Sequence, residues 1–191
     1  MSYDHNRFIL KKAINYVAQF KNDNAETGSK FPVSISIKGK KNINNRLGWC
    51  YGDLGIGIRF WYAAKVLQDK TLGNEAIKIL KHAANRRSFK DTMVIDASIC
   101  HGSFGIAQIF NRMYKETKDP VFKDATEFWI QDGLDKAIHK DGLAGYKQWK
   151  GEDIGWTNEV SLLEGISGIG LVILDYLTDY NTSWDECLLI S

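Results

Sequence analysis

The sequence predicts an all-α fold: an α/α barrel, or toroid, of helical hairpins, here as a partial ring. Three observations carry that prediction. Proline occurs only 2 times in 191 residues while glycine occurs 17 times, so helices are rarely broken and the glycines need a place. Those glycines recur in register, as Cys50-Tyr51-Gly52-Asp53-Leu54-Gly55-Ile56, Cys100-His101-Gly102-Ser103-Phe104-Gly105-Ile106 and Leu163-Glu164-Gly165-Ile166-Ser167-Gly168-Ile169. Stretches that are apolar all round also alternate with amphipathic ones, the pattern of inner and outer layers.

In chain order, Ile9, Ala13, Tyr16, Val17 and Phe20 fall on one helical stripe and predict an N-terminal helix of the outer type. A polar connector over 22–48 follows, in which 31–37 alternates like a short strand. The first inner helix is expected over 53–68, apolar on nearly every face. Its outer partner is expected over 75–87, with Ala76, Ile77, Leu80, Ala83 and Ala84 inward and Lys78, Lys81 and Arg86 outward. A second pair follows at 103–117 and 121–138, the latter opened by Asp119 as N-cap and Pro120 at the first helical position. After a second polar connector, 139–158, a third inner helix is expected over 165–180. Nothing in the composition marks a boundary, so residues 1–191 read as a single domain.

Composition excludes several functions. Hydrophobic residues at 44% and charged ones at 25% describe a globular chain, and a net charge of +2 lacks the basic excess of a nucleic-acid binder. The longest apolar run, Gly170-Leu171-Val172-Ile173-Leu174, falls far short of the ~18 residues of a membrane span. The N-terminus has no signal-peptide pattern, which points to a cytoplasmic protein. Three cysteines, an odd number, favour free thiols or metal ligands over disulfides.

Cys50 and the pair Cys100-His101 occupy the same phase of successive repeats, just before inner helices. In a concentric barrel those turns converge at one mouth. Two thiolates and one imidazole there form the ligand set of a zinc site with its fourth position open. The competing reading makes both cysteines small buried apolar residues. Cys187 shares no phase and reads as a packing residue; His5, His82 and His139 read as surface residues.

Gly48-Trp49-Cys50-Tyr51-Gly52, Cys100-His101-Gly102 and Ser161-Leu162-Leu163-Glu164-Gly165-Ile166-Ser167-Gly168-Ile169-Gly170 resemble the lanthionine synthetase C-like family, and the resemblance runs from about residue 3 to 184–189. It implies that Cys50, Cys100 and His101 ligate Zn2+ and that Trp49 and Tyr51 flank the site in catalytic positions. It further implies a dehydrated precursor peptide as substrate. The zinc-bound cysteine thiol of that peptide adds to dehydroalanine or dehydrobutyrine, a nearby acid protonates the enolate, and a thioether ring results. Tyr51 would assist that protonation; a packing role is the alternative.

Members of that family are longer and form a closed double ring, with an additional active-site histidine and aspartate upstream of the Trp-Cys-Tyr-Gly segment. These have no counterpart in the sequence, which implies either a C-terminal piece or a short homologue. The expected partners are therefore an upstream half of the toroid or a second copy. Two alternatives to a peptide cyclase stay open: a zinc-bearing module without turnover, and addition of glutathione to dehydroamino acids. The basic run at 38–46 reads as a solvated loop, or as an element that steers an acidic leader peptide.

Overall fold

Each glycine motif opens a helix, and none of the three helices has a side-chain cap. Their N-caps, Tyr51, Gly102 and Gly165, are extended and make no side-chain capping bond. For the second motif, the preceding turn caps the helix with its own carbonyls: Asp96, Ala97 and Ser98 accept from the N–H groups of Ser103, Phe104 and Gly105. A backbone folded so tightly onto a helix start leaves no room for a side chain. A Cβ on Gly55, Gly105 or Gly168 would lie 2.5, 1.8 or 1.9 Å from the carbonyl oxygen of Trp49, Ile99 or Leu162, in each case six residues earlier.

The computed structural model describes residues 3–23, 28–42, 46–178 and 182–191. Helix α1 is Tyr3–Ala18; the first hairpin is α2 (Gly52–Leu67) with α3 (Lys70–Ala84); a single turn, α4, covers Phe89–Thr92. The second hairpin is α5 (Ser103–Thr117) with α6 (Pro120–Asp135), and α7 is Ile166–Leu177. The inner helices α2, α5 and α7 are neighbours in that order; α3 and α6 touch outside them, and α1 lies against α2. Two antiparallel ladders occupy the connectors: β1 (Ser34–Ile35) with β2 (Lys41–Asn42), and β3 (Gln148–Trp149) with β4 (Trp156–Thr157). No described helix is long and apolar enough to cross a membrane.

The core centres on α5, where Phe104, Ile106, Ala107, Ile109, Phe110 and Met113 are all fully buried. A second cluster joins Ile14, Phe31, Phe60, Leu67, Ala76 and Ile79, and so attaches α1 and the first connector to the first hairpin.

Several expectations need correction. The N-terminal helix forms, but rotated: Leu10, Ile14 and Val17 face the core, while Ile9 and Tyr16 of the expected stripe stand in solvent. The segment carries two apolar stripes, and only one finds a partner. Helix α3 starts five residues before 75, at Lys70, because Asp69 caps it by accepting from the Leu72 N–H. Arg86, expected outside, is buried; its Nη1 donates to Asp53 Oδ2 at 3.2 Å, and Asp53 also accepts from the Lys30 and Phe31 N–H groups. The outer helix α6 ends at Asp135, not 138, and within 31–37 only Ser34 and Ile35 are strand. The helix expected to reach 180 ends at Leu177, and residues 179–181 lie outside the described residues, as do 43–45 of the basic run.

Candidate metal centre

The three turns are stitched edge to edge. The Trp49 N–H donates to Cys100 O at 2.9 Å, and the Ile99 and Cys100 N–H groups both donate to Leu163 O, at 3.0 and 2.9 Å. Repeat phase therefore becomes spatial proximity. Cys50 and Cys100 Sγ stand 3.6 Å apart, and with a His101 ring nitrogen the three donor atoms lie within 4.8 Å of one another.

That donor set fits a zinc ion. Two sulfurs each ~2.3 Å from a tetrahedral zinc stand ~3.8 Å apart, close to the spacing found. His101 Nδ1 is buried with no hydrogen-bond partner among the described residues, a costly state for a nitrogen that a metal would satisfy. Cys50 is exposed while Cys100 and His101 are half-buried, so the cluster opens to solvent on one side. Three protein ligands with an open side characterise catalytic rather than structural zinc.

The electrostatics suit the same role. The Cys100 thiol donates to Cys50 Sγ, and this pulls the Cys50 pKa down to about 7 against the opposing effect of burial, with help from the charges of Arg46 and Arg59. Cys100 goes strongly upward because Cys50 holds its proton; burial and the Glu164 charge add to this. Burial, then the Arg46 charge, lowers His101, so the imidazole is neutral and able to ligate. In the metal-free protein, iodoacetamide is expected to label Cys50 before Cys100, with a rate that rises through pH ~7 as the thiolate forms. Zn2+ should protect both. Labelling of Cys100 first, or a rate that climbs only above pH ~8.5, would contradict this assignment.

The flanking residues divide. Tyr51 is half-buried beside Cys50 and hydrogen-bonded by Arg46, and burial raises its phenol so that it keeps its proton at neutral pH. Trp49 is engaged elsewhere: its indole N–H donates to Leu188 O at 2.7 Å, and the Arg59 guanidinium lies 5.3 Å over its ring. Cys187 is exposed rather than packed, its thiol donating to Trp184 O. His82 contacts Gly28 O at 2.7 Å, and His139 lies against Trp156. Sequence reasoning overlooked Glu164, which stands in the third repeat where Tyr51 and His101 stand in the first two; repeat phase alone would have found it. Arg59, about two turns into α2 and bonded to Trp49 O and Gly55 O, had no comparable signal.

Layered helical hairpins whose glycine turns meet at one end, bringing two thiols and an imidazole together, define the all-α toroid class of fold. Within it the assignment is specific. The family model for lanthionine synthetase C-like protein matches residues 4–189, and the chain belongs to that family. The nisin biosynthesis protein NisC of Lactococcus lactis subsp. lactis is 28% identical over 166 residues, 83% of this chain and 35% of that protein. The solved structure of nisin cyclase superposes with a TM-score of 0.59 at 20% identity, over 96% of this chain and 47% of that one, and shares the fold. The chain thus spans between a third and a half of the length of these relatives.

Proposed function

We propose that the chain holds one Zn2+ on Cys50, Cys100 and His101 and activates a peptide cysteine for addition to dehydroalanine or dehydrobutyrine, forming a lanthionine-type thioether. The observation that carries this reading is the convergence of three donor atoms from two repeat turns within 4.8 Å, on a side open to solvent. Bound there, zinc would lower the pKa of a substrate thiol and supply a thiolate at neutral pH. The protein's own groups do the rest. Arg46 and Arg59 bring positive charge to the thiolate and to the enolate that forms as sulfur bonds the β-carbon. The Tyr51 phenol beside Cys50, which burial keeps protonated, would return a proton to the α-carbon. Trp49 positions the turn by tying it to the C-terminal tail. The substrate is a dehydrated precursor peptide, met in the reducing cytoplasm where Cys50 and Cys100 stay as thiols.

A second reading, a zinc-bearing part of a larger ring without efficient turnover, is favoured by the two apolar edges. Phe8, Ile9 and Tyr16 of α1 are 59, 48 and 64% exposed, and Leu174 and Leu177 of α7 are 54 and 73% exposed. Edges of this kind favour association with a second copy or with another half of the toroid. Light scattering beside a cyclisation assay on a dehydrated peptide separates the readings. The zinc-loaded chain is expected to self-associate and to form rings slowly by itself. A stable monomer that forms rings far above the uncatalysed rate would remove the second reading. Zinc-independent ring formation would remove the first, and preference for glutathione over the peptide thiol would redirect it.

A further inference from the structure

Of the six tryptophans, Trp49, Trp61, Trp129 and Trp184 pack in or against the main hydrophobic cluster. Trp149 and Trp156 belong to neither cluster. They oppose each other across the β3–β4 ladder with ring centroids 5.3 Å apart, and the His139 ring lies 4.6 Å from that of Trp156. Directly opposed residues project from the same face of a ladder, so the three rings make one aromatic shelf. Trp156 is 37% exposed, and Ile154 and Val160, two residues before it and four after it in sequence, are 66 and 67% exposed. The shelf therefore has apolar area still available to a ligand.

Its position ties it to the metal centre. The Trp149 N–H donates to Asp96 Oδ2 at 3.1 Å, and Asp96 Oδ1 accepts from the Ser98 N–H at 3.0 Å, two residues before Cys100. Lys150 Nζ lies 3.9 Å from Glu164 Oε2, and the Glu164 charge acts on both Cys100 and His101. The hairpin is also held in shape, since Lys150 N–H donates to Gly155 O and Gly155 N–H to Gly151 O, with both glycines at positive φ, 79° and 89°. A preformed aromatic surface fixed to the metal-binding turns is suited to a group that flanks the reacting one.

We propose that Trp149, Trp156 and His139 form a side-chain subsite that takes an apolar or aromatic residue flanking the reacting cysteine of a polypeptide substrate. The proposal rests on the reading that a peptide cysteine is the group activated. An acidic flanking residue is disfavoured, because indole faces are negative and Glu152 and Asp153 stand exposed at the hairpin tip.

Two synthetic heptapeptides test this, each with a central cysteine and either phenylalanine or aspartate beside it. Calorimetric titration into the zinc-loaded chain is expected to show the phenylalanine peptide binding roughly tenfold tighter. In Trp156→Ala the preference should fall to about twofold or less with zinc content unchanged, while Trp156→Phe should restore most of it. His139→Ala, at the edge of the shelf, should weaken the preference without changing the thermal melt, a control against loss of folding. A tenfold preference that persists in folded Trp156→Ala would overturn the subsite, and so would no binding of either peptide at millimolar concentration. Zinc content is measured separately, so a chain that binds no zinc yet prefers the phenylalanine peptide would defeat the proposed function and leave the subsite standing.

Discussion

Cys50→Ala and His101→Ala proteins are expected to emerge from dialysis nearly free of zinc, while the unaltered chain and Cys187→Ala retain about one equivalent. Four-ligand structural sites bind zinc with ~10–16 kcal/mol, so one ligand accounts for ~3–4 kcal/mol and its loss weakens binding by about 10²–10³-fold. No other group among the described residues offers a replacement: Cys50, Cys100 and His101 are the one cluster of three such donors, and Cys187 lies on the tail with its thiol turned to Trp184 O. Elemental analysis against a chelator of known affinity reads the result. Full retention by both ligand variants would end the assignment of this centre.

Much of that centre was legible because its geometry is written in the backbone. A Gly-x-x-Gly repeat states that three turns fold alike, and turns that fold alike in successive hairpins meet at one end of a ring. Cys50, Cys100 and His101 follow from their phase. Glu164 shares that phase too, whereas Arg59 and Arg86 act through side-chain contacts that no local pattern encodes. Arg86 is expected on the wet face of an amphipathic helix, yet α3 ends at Ala84 and the residue turns inward, where its guanidinium pairs with the buried Asp53, thirty-three residues earlier. The α1 stripe failed for a related reason: with two apolar stripes on one helix, periodicity cannot say which of them the rest of the chain covers. The 139–158 connector looked merely polar, because a two-residue ladder is too short to show alternation.

The same blindness applies to the C-terminal clamp, where the largest expected loss of stability lies. Arg112→Met is expected to cost ~3–5 kcal/mol, a fall of roughly 6–20 °C in Tm for a chain of this size. Arg112 is 3% exposed and forks onto Asp185, Nε to Oδ2 at 2.7 Å and Nη2 to Oδ1 at 2.9 Å, with Asp175 Oδ1 3.7 Å away. Both carboxylates are fully buried, so methionine fills the arginine's space but strands their charges. Lys115 Nζ, 3.2 Å from Asp175 Oδ1, compensates only in part. The deficit should therefore shrink when the stranded partner goes too, as in Arg112→Met with Asp185→Leu. Acid sensitivity gives an independent reading. Burial pushes the Asp175 carboxyl upward, but hydrogen bonds from Thr182 and Gln108 and the charges of Arg112 and Lys115 outweigh it, so the folded value lies below the ordinary one. A depressed carboxylate contributes stability that is complete above its unfolded pKa of ~3.9 and is lost as pH falls through the folded value. Removing Arg112 raises that folded value, so acid unfolding of Arg112→Met should begin at a higher pH than in the unaltered chain. Thermal melts between pH 3 and 7 measure both effects, and an Arg112→Met protein that melts within about 1 °C of the parent across that range would show that the clamp contributes nothing.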